Sequence, residues 1–209
     1  MQHTLEQLIY VGDPMCSWCW GFAPIIEGLA VDYPVEIVVG GLRPGPAAQE
    51  LEDRMATFLR THWVEIAERT GQPFDTAFLD RRDGWMYDTE PAAIAVAAIR
   101  SLNGSRALEF FTTIQRAFYA EGQDVTNFDV LAELAAAFDV DSEEFRISLD
   151  TVTARKAAWA DFSRSRNWGI GGFPALIGDL AGDQLALLAR GYTEEDLIRT
   201  RIQSLSQSA

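Results

Sequence analysis

Leu8-Ile9-Tyr10-Val11-Gly12-Asp13-Pro14-Met15-Cys16-Ser17-Trp18-Cys19 is the stretch on which the reading of this chain turns. The apolar run Leu8 to Val11 predicts a buried strand, and Gly12-Asp13-Pro14 supplies the turn out of it. The two cysteines of the chain follow, three residues apart. If Cys16 opens a helix, Cys19 lies one turn further in. A helix N-terminus carries unpaired N–H groups and roughly half a positive charge, so it favours a thiolate. The thiolate is the nucleophile, and such a pair suits disulfide exchange: one sulfur attacks, the second resolves the mixed disulfide.

The gain from a lowered thiol pKa is modest. A thiol of pKa about 8.5 is about 3% ionised at pH 7, and one of about 7 is half ionised. Falling nucleophilicity takes back most of that roughly sixteenfold gain and leaves about threefold. The larger effect is on leaving-group ability and redox poise. Ser17 and Trp18 bring no charge to Cys16, so the dipeptide does not argue for a strong oxidant. Two other readings compete. A zinc site needs four ligands, but there is no second cysteine pair, and His3 and His62 show no ligand spacing, so no metal is expected. Inert packing is the other, since free cysteine behaves as a small hydrophobe.

Near the far end stands Gly169-Ile170-Gly171-Gly172-Phe173-Pro174-Ala175-Leu176-Ile177. This fits either a cis-proline turn or a trans proline opening an edge strand. With Asp13 to Phe22, the Phe173-Pro174 segment resembles the DsbA-like branch of the thioredoxin-fold superfamily, most closely its cytoplasmic FrnE-like disulfide isomerases. Gly40 to Gly45, Tyr87 to Pro91 and Gln115 to Tyr119 also resemble that group, so the likeness covers nearly the whole chain. It implies an α/β, thioredoxin-like fold: a central mixed β-sheet flanked by helices, with a large helical insertion. It also implies that Cys16 attacks, Cys19 resolves, Pro174 is the cis-proline against the pair, and Phe173 pairs its backbone with substrate. Trp18 stands where the periplasmic oxidant of the family has a histidine, which again argues against strong oxidation.

The 209 residues carry 48% hydrophobic side chains, enough for one sizeable core or a core with an inserted subdomain. Segments 1–46 and 168–209 are expected to form the thioredoxin-like domain, and 47–167 the helical subdomain. Val35 to Val39 reads as a second, parallel strand. Within the insert, helices are expected over Ala92 to Ile99 behind Pro91, over Arg106 to Ala120, over Phe128 to Phe138 capped by Asn127, over Glu143 to Leu149 capped by Ser142, and over Thr153 to Arg166. Strands at Ala175 to Ile177 and Leu185 to Ala189, a helix at Glu194 to Gln203 and a frayed tail from Ser204 complete the pattern. Pro24 is expected to kink the helix after Cys16.

A net charge of −14 argues against nucleic-acid binding. No apolar run is long enough for a membrane span, and Met1 to Gln7 lacks the basic start of a signal peptide, so a cytoplasmic location is expected. The function expected is a thiol–disulfide oxidoreductase or isomerase acting on protein or small-molecule disulfides, with a reducing or oxidising electron partner. It needs no cofactor beyond glutathione as a redox co-substrate. The alternative is a glutathione-dependent transferase or isomerase on the same scaffold, of the kappa-class or hydroxychromene carboxylate isomerase type. Those relatives have serine at the position of Cys16. Of the aromatic residues, Trp18 and Phe173 are expected beside the sulfurs and most others in the core.

Overall fold

The computed structural model describes residues 4–81, 83–182 and 184–207. A four-stranded sheet carries the order β2-β1-β5-β6. Strand β1 (Leu5–Gly12) runs parallel to β2 (Val35–Val39) and antiparallel to β5 (Ala175–Leu180), which pairs antiparallel with β6 (Gln184–Arg190). Helix α1 (Ser17–Ala30) crosses from β1 to β2. β1 is apolar without alternation because both its faces are covered. Leu8 and Tyr10 enter the main hydrophobic cluster, whereas Ile9 and Val11 pack on the other face with Val38, Ile170 and Ile177.

Between β2 and β5 lie α2 (Asp53–Thr70), α3 (Glu90–Leu102), α4 (Ala107–Tyr119), α5 (Phe128–Ala135), α6 (Ser142–Leu149) and α7 (Val152–Asn167). The main cluster joins them to the sheet: Trp63, Ile94, Phe111 and Phe118 share it with Tyr10, Ile37 and Leu176. Asp161 of α7 ties α3 to β2. It accepts from both Arg100 guanidinium nitrogens at 2.5 and 3.1 Å and from Val39 N–H at 3.0 Å. Removing one partner of a largely buried pair leaves the other uncompensated. Asp161→Ala is therefore expected to cost about 3 kcal/mol in a urea titration.

α1 continues through Pro24 as one element, and the Trp20 carbonyl that Pro24 leaves without an N–H partner accepts from Gln72 Nε2 at 3.1 Å. Local chemistry differs from the sequence expectation at three places. Asp141, not Ser142, caps α6, because its carboxylate reaches Glu144 N–H at 2.9 Å from an extended backbone. The last helix, α8 (Glu195–Gln207), includes Ser204 to Gln207, expected to be frayed; 208–209 lie outside the described residues. β3 (Gln49–Glu50) and β4 (Met86–Tyr87) form a small antiparallel pair that is too short to leave a periodic signal.

The sheet register builds the site. Val11 pairs with Ala175 and Gly12 with Val39. The end of β1, the end of β2 and the start of β5 therefore meet, and Pro174 falls beside the turn that leads to Cys16.

Candidate active site

Cys16 is the cap residue of α1, with φ −94° and ψ 117°. Its N–H donates to the Asp13 carbonyl at 3.0 Å and its carbonyl accepts from Trp20 N–H at 3.1 Å. No side chain caps this helix, so its first-turn N–H groups have no side-chain acceptor. The sulfur lies 3.7 Å from the Phe173 carbonyl, to which the thiol donates. Both cysteines are buried, Cys16 at 7% exposure and Cys19 at 0%, so the first is the less enclosed of the two. Both are free thiols. Burial pushes the Cys19 thiol well up, and the neighbouring Cys16 sulfur adds to the effect. The Asp13 peptide N–H and the Tyr10 hydroxyl oppose it.

The Phe173–Pro174 peptide is cis. The Pro174 carbonyl accepts from Gly191 N–H at 2.7 Å. Phe173 lies over Gly40, where a Cβ would stand 2.2 Å from its ring; the glycine allows that approach. Trp18 is half-buried. Its ring packs edge-on against His62 at 5.7 Å and at a tilt against Tyr192 at 5.8 Å. The Arg69 guanidinium sits 5.7 Å from the Trp18 ring centre and 4.9 Å from that of Tyr192. The structure thus brings Cys16, Cys19, Phe173, Pro174 and Trp18 to one place. It also supplies, from α2, a positive charge that the Ser17-Trp18 dipeptide lacks. Trp63, Trp85 and Tyr87 are buried in the core; Trp159 and Trp168 are half-buried on α7 and after it.

Several residues at the site left only a weak mark in the sequence. Asp13, fully buried, accepts from Met15 N–H at 2.8 Å and Leu42 N–H at 2.6 Å, locking the turn before Cys16 to the segment after β2. Burial lifts its carboxyl to about 6, against the pull of those two N–H groups and the Thr89 hydroxyl. Tyr87 donates its hydroxyl to the Met15 carbonyl. Thr89 accepts from Arg43 N–H at 3.0 Å and Asp88 from Gly45 N–H at 2.8 Å. The segments 40–45 and 87–91 are therefore two halves of one clasp around the cysteine turn. An acidic residue inside an apolar stretch was the one signal for Asp13.

Two hollows border segments of the site, Phe173 in one and Arg43 in the other, and neither is lined by a cysteine. One of about 400 Å³ is walled by Gly169 to Phe173, Arg190 and Gly191. The other, about 640 Å³, is walled by Arg43, Arg54, Met55 and Phe58 among others. A third, of about 520 Å³, lies among α3, α6 and α7 and contains neither cysteine. Among the described residues, no three His, Cys, Asp or Glu side chains gather to hold a metal, and no helix is long and apolar enough to cross a membrane.

A parallel–antiparallel sheet with two free thiols one turn apart at the first helix defines a thioredoxin-like dithiol protein. The thioredoxin family model matches residues 9–199, and the chain belongs to that family. A protein from Nitrosomonas europaea proposed as a protein disulfide isomerase superposes with a TM-score of 0.86 at 33% identity, over 100% of both chains. The cytosolic disulfide reductase DsbM of Pseudomonas aeruginosa superposes at 0.78 with 26% identity, over 97% of this chain and 100% of that one. It has also been solved with GSH. The ClpXP adapter protein SpxH of Bacillus subtilis is 25% identical over 82% of this chain but only 57% of its own length. The chain thus spans less than two thirds of the curated relatives it matches.

Proposed function

We propose that this protein is a thiol–disulfide oxidoreductase that works in the reducing direction in the cytoplasm. The observation that carries this is the asymmetry of the pair: Cys16 at the start of α1 with 7% exposure, Cys19 fully buried one turn behind it. The Cys16 thiolate attacks one sulfur of a substrate disulfide, and the other leaves as a thiolate with the bonding electron pair and takes up a proton. Cys19 then attacks the Cys16 sulfur and expels the second substrate thiol. The substrate gains two electrons and the protein holds a Cys16–Cys19 disulfide. Two external thiols restore the dithiol and become a disulfide themselves, so no bound cofactor is needed.

Pro174, Phe173 and Trp18 shape the substrate site in this reading. Arg43, Arg69 and Arg190 stand around it and form no salt bridge among the described residues, while most other arginines of this acidic chain do. Three unpaired cations suit the carboxylates of a small peptide thiol, and glutathione is the co-substrate they fit. The DsbM relative solved with GSH supports the same choice. A glutathione-dependent transferase or isomerase is the less favoured reading, because both thiols are present and placed for exchange.

The test is a titration of the dithiol–disulfide equilibrium in glutathione buffers, followed by tryptophan fluorescence. Trp18 and Trp20 flank Cys19 and will report the change. A two-electron transition near about −270 mV is expected, as for a reductase; one near about −120 mV would make the protein an oxidant. No transition would overturn the proposal. It would leave a binding role, of the adapter kind that SpxH is named for, or glutathione chemistry without redox cycling.

A further inference from the structure

Behind Cys19 the protein encloses polar groups that nothing in the exchange chemistry above has used. The Tyr10 hydroxyl and both amide atoms of Gln115 are buried without a fully formed protein hydrogen bond, as are the Tyr119 hydroxyl and the Trp63 indole N–H. Buried polar atoms are nearly always paired, with protein or with ordered water, because an unpaired one costs about 1–3 kcal/mol. An amide with both ends orphaned is the strongest case. A leucine would fill that place without the cost.

Their placement is specific. Tyr10 comes from β1, its hydroxyl lies over Gly12 at the start of the cysteine turn, and it acts to lower the Cys19 thiol pKa. Its ring packs edge-on against Phe111 of α4 at 5.6 Å. One turn beyond Phe111 on the same helix face is Gln115. One turn further is Tyr119, whose ring stacks on Trp20, the neighbour of Cys19, at 6.4 Å. Gln115 therefore sits on that face of α4 between the contact with Tyr10 and the contact with Trp20. The other ionisable groups toward this sulfur are Cys16 and Asp13, with Tyr87 and Tyr119 beyond them.

We propose that Gln115 and Tyr10 are positioning residues for the second thiol: they hold a buried water behind Cys19 and, with it, donate hydrogen bonds to the Cys19 thiolate as it attacks the mixed disulfide. A water there has the polar partners it needs in Tyr10 Oη, the Gln115 amide and the sulfur. In this step the Cys16–Cys19 S–S bond forms and the bond from Cys16 to the substrate sulfur breaks. The substrate thiolate leaves with the electron pair, and a proton lost by Cys19 is balanced by one taken up by the leaving thiol. Cys19 is sealed from bulk solvent, so a fixed donor set has to do there what solvent does for an exposed thiolate.

The proposal rests on the exchange reading above, and one experiment separates the two. The reduced full-length chain is mixed with 5,5′-dithiobis(2-nitrobenzoate) in a stopped-flow instrument across a pH series. Attack by Cys16 releases a first thionitrobenzoate, and resolution by Cys19 releases a second. In Gln115→Leu and Tyr10→Phe the second phase is expected to slow about tenfold near neutral pH, the scale of one hydrogen bond to a charged group, and its pH midpoint to rise by about one unit. An unchanged second phase in both variants overturns the proposal, as does a slower phase whose pH midpoint stays in place, the mark of a merely structural role. If Tyr10→Phe fails to fold, Gln115→Leu decides alone; it swaps an unpartnered amide for an apolar group of similar size. A wild-type protein that never releases the second equivalent defeats the exchange reading instead.

Discussion

Cys16→Ser should reduce disulfide turnover to the uncatalysed background, while Cys19→Ser should stop the enzyme one step later with substrate attached. The two outcomes differ because the two sulfurs differ in access. Cys16 is the less enclosed sulfur and the attacking one in the proposed exchange, and a serine hydroxyl there is neither ionised nor nucleophilic near neutral pH. With Cys19 lost, Cys16 still attacks, but nothing inside the protein can displace the substrate from it. Mass spectrometry of Cys19→Ser after exposure to glutathione disulfide should show one glutathione per chain, and Cys16→Ser should show none. Full activity in Cys16→Ser, or an adduct on Cys19 in that variant, would contradict the assignment of roles.

The second large effect concerns stability. Asp13 titrates at about 6 in the folded chain against an ordinary 3.8, because burial outweighs its hydrogen bonds. Between those values the folded state keeps a proton that the unfolded state releases. The stability this group contributes is therefore complete below about pH 3.8 and is lost as pH rises through about 6. Roughly two pH units at about 1.4 kcal/mol each make the change about 3 kcal/mol. Asp13→Asn removes the titration, although it also loses one acceptor for the two backbone N–H groups. The difference in unfolding free energy between wild type and Asp13→Asn, measured in urea at a series of pH values, should narrow by about 3 kcal/mol from pH 3.5 to 7. A flat difference would mean that the carboxyl is not raised.

Both effects converge on the turn between β1 and α1. The carboxylate that costs stability at neutral pH is the same group that fixes the turn, since Met15 and Leu42 donate to it from two separate segments. A neutral acceptor would be cheaper to bury. Only a carboxylate offers two acceptor oxygens at this position without introducing a donor toward those N–H groups.

The strand, turn and cysteine spacing from Leu8 to Cys19, the β-branched segment Val35 to Val39 and the periodic helices of the insert were legible because each is a local pattern. Glu36 interrupts the second strand and pairs with Arg164, while Ile37 to Val39 are buried. A proline after Thr89 has to open a helix, and α3 begins there. Asn127 caps α5 because its side chain accepts from Asp129 N–H at 2.8 Å. The cap of α6 was misplaced by one residue, since Asp141 and Ser142 are both competent caps and backbone conformation chooses between them. The small β3–β4 pair had no local signal at all.

By itself the sequence determined that two thiols stand one helical turn apart after a strand, and that a Phe-Pro segment opens a later one. Strand register and helix packing decided the rest, because they join residues far apart in the chain. The register of β5 on β1 carries Phe173 to Cys16 across 157 positions. α2 brings Arg69 and His62 to Trp18, giving the cysteine dipeptide a charged neighbour that its own residues do not supply. α4 stacks Tyr119 on Trp20, the neighbour of the hidden cysteine. Which cysteine is the less enclosed and which is sealed follows from burial, and burial is a sum over the whole fold that no local pattern contains.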